Sequence, residues 1–240
     1  MTMMDDIESR LREAAAYTKQ TGQPFVTVSY AQSLDGSIAA RPGRPMALSS
    51  PESLVLTHSL RATHDAILVG IGCVLADDPR LNVRLASGSN PRPIVIDSRL
   101  RLPPYARLLT NGSHAPWIFT SETADSEREK NLQFLGAKIF RVPSTPDAKI
   151  DVVAVLKKLG GLGITTLMIE GGAQIITSFL ISRSVNQVVV TISPILVGGT
   201  RAVDALARFN PNQFPRLVNV SYEKMGNDLV VRADPEWNVQ

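Results

Sequence analysis

Thiols are almost missing from this 240-residue chain, in which Cys73 is the lone cysteine. A disulfide framework, a structural zinc cluster and an iron–sulfur site all require several, so each is excluded. Histidine is scarce as well. His58, His64 and His114 lie far apart, without the i, i+4 spacing from which a helix builds a catalytic zinc site, and no metal is expected. No apolar run approaches the ~20 residues that span a bilayer. The acidic start, Met-Thr-Met-Met-Asp-Asp-Ile-Glu, lacks the apolar core of a signal or transit peptide. A soluble, cytoplasmic protein without a membrane partner is the expectation. Repeats, low-complexity tracts and Pro/Gly/Ser-rich linkers are also absent, which favours a helical extension over residues 1–23 followed by one domain over 24–240.

What is present is ordinary globular material, 44% hydrophobic and 20% charged, with a net charge of +3 that is too small to argue for nucleic acid. The distribution of charge says more. Residues 41–107 hold nine arginines, no lysine and five acids. Arginine suits planar, two-pronged recognition of phosphate, whereas lysine acts as a hydrated point charge. The segment reads either as a solvated surface or as a pocket for a phosphorylated small molecule.

Residues 5–20 carry Ile7, Leu11, Ala14 and Ala15 at helical spacing, which predicts one amphipathic helix ended by Gly22 and Pro24. Strands are expected at 25–30, 66–69, 93–97, 117–120, 138–142, 166–170 and 187–192, most of them apolar runs that end on a polar residue. Helices are expected at 51–60, opened by Ser50 and Pro51, and at 126–135, 152–159 and 173–181. Gly70-Ile71-Gly72 reads as a loop leaving its strand. Residues 220–224 and 228–233, joined through Gly226-Asn227, read as an antiparallel hairpin. Strands alternating with helices imply an α/β fold, its sheet mostly parallel and flanked by helices, made mixed by that C-terminal hairpin.

Ligands of such sheets gather outside the carboxyl ends of the strands. Three of those ends carry suitable residues. Gly70-Ile71-Gly72-Cys73 could bring backbone amides close to a ligand, although no third glycine completes a dinucleotide fingerprint. Glu170-Gly171-Gly172-Ala173-Gln174 joins an acidic strand end to a helix start, where free N–H groups favour a pyrophosphate; the glycines could equally just ease the turn. Asp97-Ser98-Arg99 offers a hydroxyl and a guanidinium for a second phosphate. Asp77-Asp78-Pro79 is either a turn cap or part of a charged loop with Arg80, Leu81 and Arg84. Arg61 and Arg84 could clamp one phosphate ester. Nucleophilic catalysis finds no support, since Cys73 has no histidine near it in sequence and no Gly-x-Ser-x-Gly elbow occurs.

Taken together, residues 25–36 (Phe-Val-Thr-Val-Ser-Tyr-Ala-Gln-Ser-Leu-Asp-Gly), 70–79 (Gly-Ile-Gly-Cys-Val-Leu-Ala-Asp-Asp-Pro) and 169–173 (Ile-Glu-Gly-Gly-Ala) closely resemble the riboflavin-biosynthesis pyrimidine reductases. Relatives of these include the reductase half of the bacterial bifunctional deaminase–reductase and, more distantly, dihydrofolate reductase. The resemblance runs from about Pro24 to Ala233. It is closer to the stand-alone fungal and archaeal type, because Tyr30–Asp35 has the fungal wording and Ser29 replaces a usual bacterial lysine. One cysteine cannot furnish the zinc site of the deaminase half.

The resemblance implies a dihydrofolate-reductase-like fold, a homodimer, and NADPH-dependent reduction of the ribosyl group of 2,5-diamino-6-ribosylamino-pyrimidinone 5′-phosphate to ribityl. Carried over by position, Cys73, Asp77, Ser98, Gly171, Gly172, Ala173 and Gln174 contact the cofactor, and Gly70 and Gly72 join them from the reading of the Gly-x-Gly turn. Arg61, Leu81, Arg84 and Glu170 contact the phosphorylated pyrimidine. Glu170 and Asp77 are the candidate catalytic acids, and either could instead bind hydroxyls or ring nitrogens. Cys73 stands where a threonine is usual, and Ala47 near a frequent tryptophan. Three alternatives remain at this point: reduction of the deaminated aminouracil, a reductase of a side pathway, and a non-catalytic nucleotide-binding relative.

Overall fold

Runs of branched apolar residues become strands buried on both faces, which have no polar side to show. The computed structural model describes residues 2–110, 114–203 and 214–237. In chain order the first half comprises α1 (Met3–Leu11), α2 (Ala14–Thr21), β1 (Phe25–Ser33), β2 (Ser37–Arg41), β3 (Arg44–Pro45), α3 (Pro51–Thr63), β4 (Ala66–Gly70), α4 (Ile71–Asp77), β5 (Arg92–Ile96) and α5 (Arg107–Thr110). Then follow β6 (Trp117–Ser121), α6 (Ser126–Phe134), β7 (Lys138–Val142), α7 (Val152–Gly161), β8 (Thr166–Ile169), α8 (Ala173–Ile181), β9 (Gln187–Ser193), β10 (Thr200–Arg201), β11 (Arg216–Met225) and β12 (Asp228–Glu236).

Nine strands form one sheet in the order β11-β12-β9-β1-β8-β4-β5-β6-β7. From β9 to β7 all neighbours are parallel, so their carboxyl ends share one edge. The hairpin β11–β12 joins β9 antiparallel and makes the sheet mixed. Side-chain alternation divides the core. Val28, Leu68, Ile94 and Ile169 pack with Leu156 of α7 and Phe179 of α8 on one face. Ile67, Val69, Val95 and Ile118 pack with Val74 of α4 and Leu132 of α6 on the other, where Met168 also meets Ile7 of α1 and Leu60 of α3.

α3 begins as its sequence demands. Ser50 is the N-cap, its hydroxyl accepting from the Ser53 amide, with Pro51 in the first turn. Buried Asp228 of β12 accepts from the Ser50 amide at 2.7 Å and fixes the helix to the terminal hairpin.

Two readings are corrected and one feature is new. The single helix over 5–20 is two, broken at Arg12-Glu13, because Met3 and Ile7 pack toward α3 and β12 while α2 turns to lay Tyr17 edge-on against Phe25. Gly70-Ile71-Gly72 is not a loop but the start of α4, with Gly70 as N-cap and Ile71 and Val74, one turn apart, buried beneath. A second, three-stranded sheet, β10-β2-β3, had no expectation at all. It is tied to β1 by Asp35, whose carboxylate accepts from Ser33, Ser37 and the amides of Val197 and Gly198, bonds that hold it well below the usual carboxylate range.

His64 is locked at the end of α3. Its Nδ1 donates to the Leu60 carbonyl at 2.6 Å and its Nε2 accepts from the Thr27 hydroxyl at 2.9 Å. Burial pushes its pKa down to about 4, against the Leu60 bond and the Asp65 charge, which favour the proton. On acidification the unfolded chain therefore takes up this proton first. The stabilisation is complete above pH ~6.5 and is lost on the way down to pH ~4, a difference of roughly 3 kcal/mol. Urea unfolding between pH 7 and 4.5 should show that decline in the wild type and a shallower one in His64→Asn; equal slopes would refute it.

Candidate active site

A short strand makes the site. β8 has four residues, and its last pairs lie between Ile169 and both Val28 and Leu68. β1 runs on to Ser33 beside β9, and β4 runs on to Gly70 beside β5. The carboxyl edge of the sheet is therefore notched, with Glu170-Gly171-Gly172 as the floor, β1 as one wall and α4 as the other. Glycine is required here by close packing. A Cβ on Gly70 would stand 2.7 Å from the Ile175 side chain, one on Gly171 2.6 Å from it, and one on Gly172 3.3 Å from the Cys73 sulfur. Nothing larger lets the first turn of α8 cross the end of β4. Gly172 is the N-cap of α8, with no side-chain cap hydrogen bond, so the first-turn amides at the notch are left without a side-chain acceptor. Ala173 and Gln174 open that first turn. The Cys73 thiol lies against the Gly172 and Gly70 amides, and burial pushes its pKa up, which disfavours the thiolate a nucleophile needs.

Arg61 of α3 meets the floor. Its Nε and Nη2 donate to the two oxygens of Glu170 at 2.7 and 2.6 Å, while Nη1 donates to the Asn82 carbonyl at 3.0 Å. Both side chains are mostly buried, 12% and 16% exposed. Burial alone would lower the Arg61 pKa, but the adjoining carboxylate more than offsets it and the guanidinium is held above its usual value. The expected clamp of Arg61 with Arg84 thus takes another form, because each Arg61 nitrogen already serves a protein acceptor. Arg84 stands exposed, its pKa drawn down by partial desolvation and by the charges of Arg61 and Arg80.

These arginines line a cavity of about 340 Å³ with Asp77, Asp78 and Leu81. Asp77 makes no side-chain hydrogen bond among the described residues. Asp78 does, accepting the Arg107 amide at 2.8 Å from a left-handed backbone position, φ +41°. Leu81 is left-handed too, φ +51°, and its side chain is buried in the core under α4 rather than displayed. Such backbone in non-glycine residues shows a loop shaped by its surroundings.

A second cavity, of about 470 Å³, opens at the ends of β5, β6 and β7, with Ser98, Arg99, Ser121, Thr123, Arg128 and Ser144 among its lining. Asp97 does not face it. That carboxyl is fully buried, accepts the Leu102 amide at 2.8 Å, and is raised in pKa by burial; it folds the turn that presents Ser98 and Arg99. Hydroxyls and guanidiniums together are the donor set a ribose phosphate requires, and the uncapped α8 terminus suits a pyrophosphate. A phosphorylated dinucleotide fits the residues present.

The structure thus brings Arg61, Asp77, Leu81, Arg84 and Glu170 to one cavity and floor, gathers Gly70, Cys73, Gly171 and Gly172 at the α8 terminus, and puts Ser98 in the second cavity. Gly72 lies exposed on α4. Sequence reasoning missed His58 and Arg128, and reached Asn82 only as part of the loop that follows Asp77-Asp78-Pro79. The one available signal was the His-x-x-Arg spacing of 58 and 61, which puts both on one side of a helix.

The family model for the RibD C-terminal domain matches residues 24–231. A 2,5-diamino-6-ribosylamino-4(3H)-pyrimidinone 5′-phosphate reductase of Debaryomyces hansenii is 39% identical over 195 residues, 74% of this chain and 78% of that protein. One of the same name from Methanothermobacter thermautotrophicus is 36% identical over 87% of this chain and 97% of its own length. In fold the chain is similar to Acinetobacter baumannii RibD, with TM-score 0.79, 23% identity and 98% of this chain covered; it spans 64% of that longer protein. It also shares the fold of Enterococcus faecalis dihydrofolate reductase, with TM-score 0.50 and 12% identity, over 90% of this chain and 98% of that one. From a sheet notched at β8, an arginine–glutamate pair on its floor and these matches, it follows that this chain belongs to the RibD C-terminal domain family.

Proposed function

We propose that the chain is the NADPH-dependent reductase that converts the ribosyl side chain of 2,5-diamino-6-ribosylamino-pyrimidinone 5′-phosphate to ribityl. One observation carries the reading: Glu170, fixed by Arg61 on the floor of the notch, separates an arginine-lined cavity from an uncapped helix terminus. Two relatives named for this reaction, each 36% or more identical, support it.

Bound NADPH supplies the hydride. The α8 amides would hold its pyrophosphate, and Ser98, Arg99 and Arg128 its ribose phosphate. Arg84 and Arg80 hold the substrate's phosphate at the other side. Glu170, accepting from Arg61 through both oxygens, is an acceptor for substrate hydroxyls rather than a proton donor. Asp77, free of protein partners among the described residues, is the carboxyl positioned to move a proton. The chain's main contribution is placement, since donor and acceptor carbons must lie about 3–3.5 Å apart. A homodimer belongs to the same proposal. β11 is an edge strand, and its exposed Leu217, Val220 and Tyr222 offer an apolar surface to a second copy.

Purified protein given NADPH and each of the two pyrimidine phosphates, diamino and deaminated, should oxidise NADPH with the diamino form faster; absence of oxidation with both would sink the reading. Arg84→Ala should raise KM for the pyrimidine about tenfold to a hundredfold, one charge-assisted bond being about 1.5–3 kcal/mol, with KM for NADPH unmoved. Glu170→Gln should lower kcat/KM at least tenfold and, by leaving Arg61 buried beside a neutral amide, reduce stability by roughly 2 kcal/mol in a urea melt. The pair Arg99→Ala with Arg128→Ala should cost NADPH affinity about tenfold or more while leaving NADH affinity alone. Equal losses for both nucleotides would contradict the assignment of the second cavity.

A further inference from the structure

His58 lies on α3, three residues before Arg61, and is 2% exposed. Its Nδ1 accepts the backbone N–H of Arg84 at 3.0 Å. The ring proton is thereby assigned to Nε2. Burial, with the guanidinium charges of Arg61 and Arg84 nearby, pushes its pKa down to about 4, which favours the uncharged ring that the Arg84 N–H already requires as acceptor.

The segment that this bond reaches has no ladder of its own. Residues 78–91 contain no helix or strand. Its shape comes from side-chain brackets instead. Asn90 accepts the Val83 amide at 2.7 Å, Arg61 donates to the Asn82 carbonyl at 3.0 Å, and the Asn82 side chain accepts from Arg84 Nη1. Among the described residues, only the His58 bond ends on the main chain of Arg84 itself. A guanidinium on a long, exposed side chain, even one bonded through Nη1 to Asn82, keeps its place better when its own backbone is held, and much of the cost of binding an anion is the cost of that ordering. Neutrality matters equally, since a protonated ring would turn its acceptor into a donor facing an N–H and add a third positive charge beside two arginines.

We propose that His58 is a positioning residue that, by holding the Arg84 amide, aims the Arg84 guanidinium at the phosphate end of the substrate and sets the affinity for that end. The inference rests on the reading of the arginine-lined cavity as the substrate-phosphate site. A histidine that merely fills the core would cost stability when replaced and leave phosphate affinity alone.

Ribose 5-phosphate, titrated calorimetrically into the full-length protein, probes this directly, with NADPH binding followed by fluorescence as the internal control. His58→Leu should weaken ribose 5-phosphate about tenfold and change NADPH affinity less than twofold. His58→Asn places Oδ1 where Nδ1 was and should recover binding to within about threefold of the wild type. Should the leucine variant fail to fold, His58→Gln takes its place, because its amide reaches the Nε2 position and leaves the Arg84 amide unpaired; it should weaken binding as leucine does. In an Arg84→Ala background either loss should vanish, since the aimed group is gone. Unchanged ribose 5-phosphate affinity, equal weakening of NADPH, a loss that persists without Arg84, or a wild type that binds no ribose 5-phosphate would each overturn the inference. Binding is read without turnover. A protein that reduces neither pyrimidine, yet loses ribose 5-phosphate on His58→Leu, would refute the proposed function and uphold the role of His58.

Discussion

A two-pronged bond between a guanidinium and a carboxylate holds the working parts of this molecule together. Arg61 reaches from α3 to Glu170 at the end of β8 and, with its remaining nitrogen, to the main chain of Asn82. Helix, floor and loop are thus fixed by one planar group. The energetics of such a pair are asymmetric. Forming it returns little beyond the cost of taking both charges out of water, whereas losing one partner strands the other. The pair therefore sets geometry more than it adds stability, as a site that must present a carboxylate and an arginine-lined cavity at fixed separation requires.

Around that pair, packing and polarity have separate tasks. Gly70, Gly171 and Gly172 let α8 close over β4 to within the distance of a missing methyl group, which brings bare helix amides to the notch. Asp35 and Asp97 perform their work by accepting main-chain N–H groups, each shaping a turn at the carboxyl edge. Their opposite pKa directions, down for solvent-facing Asp35 and up for buried Asp97, follow from whether hydrogen bonds or desolvation prevail. Two acids in similar sequence settings thus differ in character through environment alone.

The parallel strands and most helices were legible because apolar runs, the serine cap before Pro51 and the Gly-Asn turn are local signals. The start of α4 was not, since two glycines in three residues mimic a loop, and only burial of Ile71 and Val74 reveals the helix. Nor was the break at Arg12-Glu13, which packing imposes on a sequence otherwise compatible with one helix. Family motifs named the candidate residues, but partnership is a tertiary property. Nothing local says that Arg61 would turn to Glu170, that Leu81 would bury its side chain, or that His58 would grip a residue 26 positions away.

The shortness and late arrival of β8 bear on how the molecule is made. β1 and β4 border it on either side and never touch as strands, so more than half of the chain must emerge from a ribosome with a gap at the centre of its sheet. Long-range parallel pairing of this kind is slow and leaves strand edges open meanwhile. The strand that seals the gap also delivers Glu170 and the glycine pair. Chains in which β8 has not yet paired consequently lack the Glu170 floor and the α8 terminus, although every residue that lines the two cavities has by then emerged.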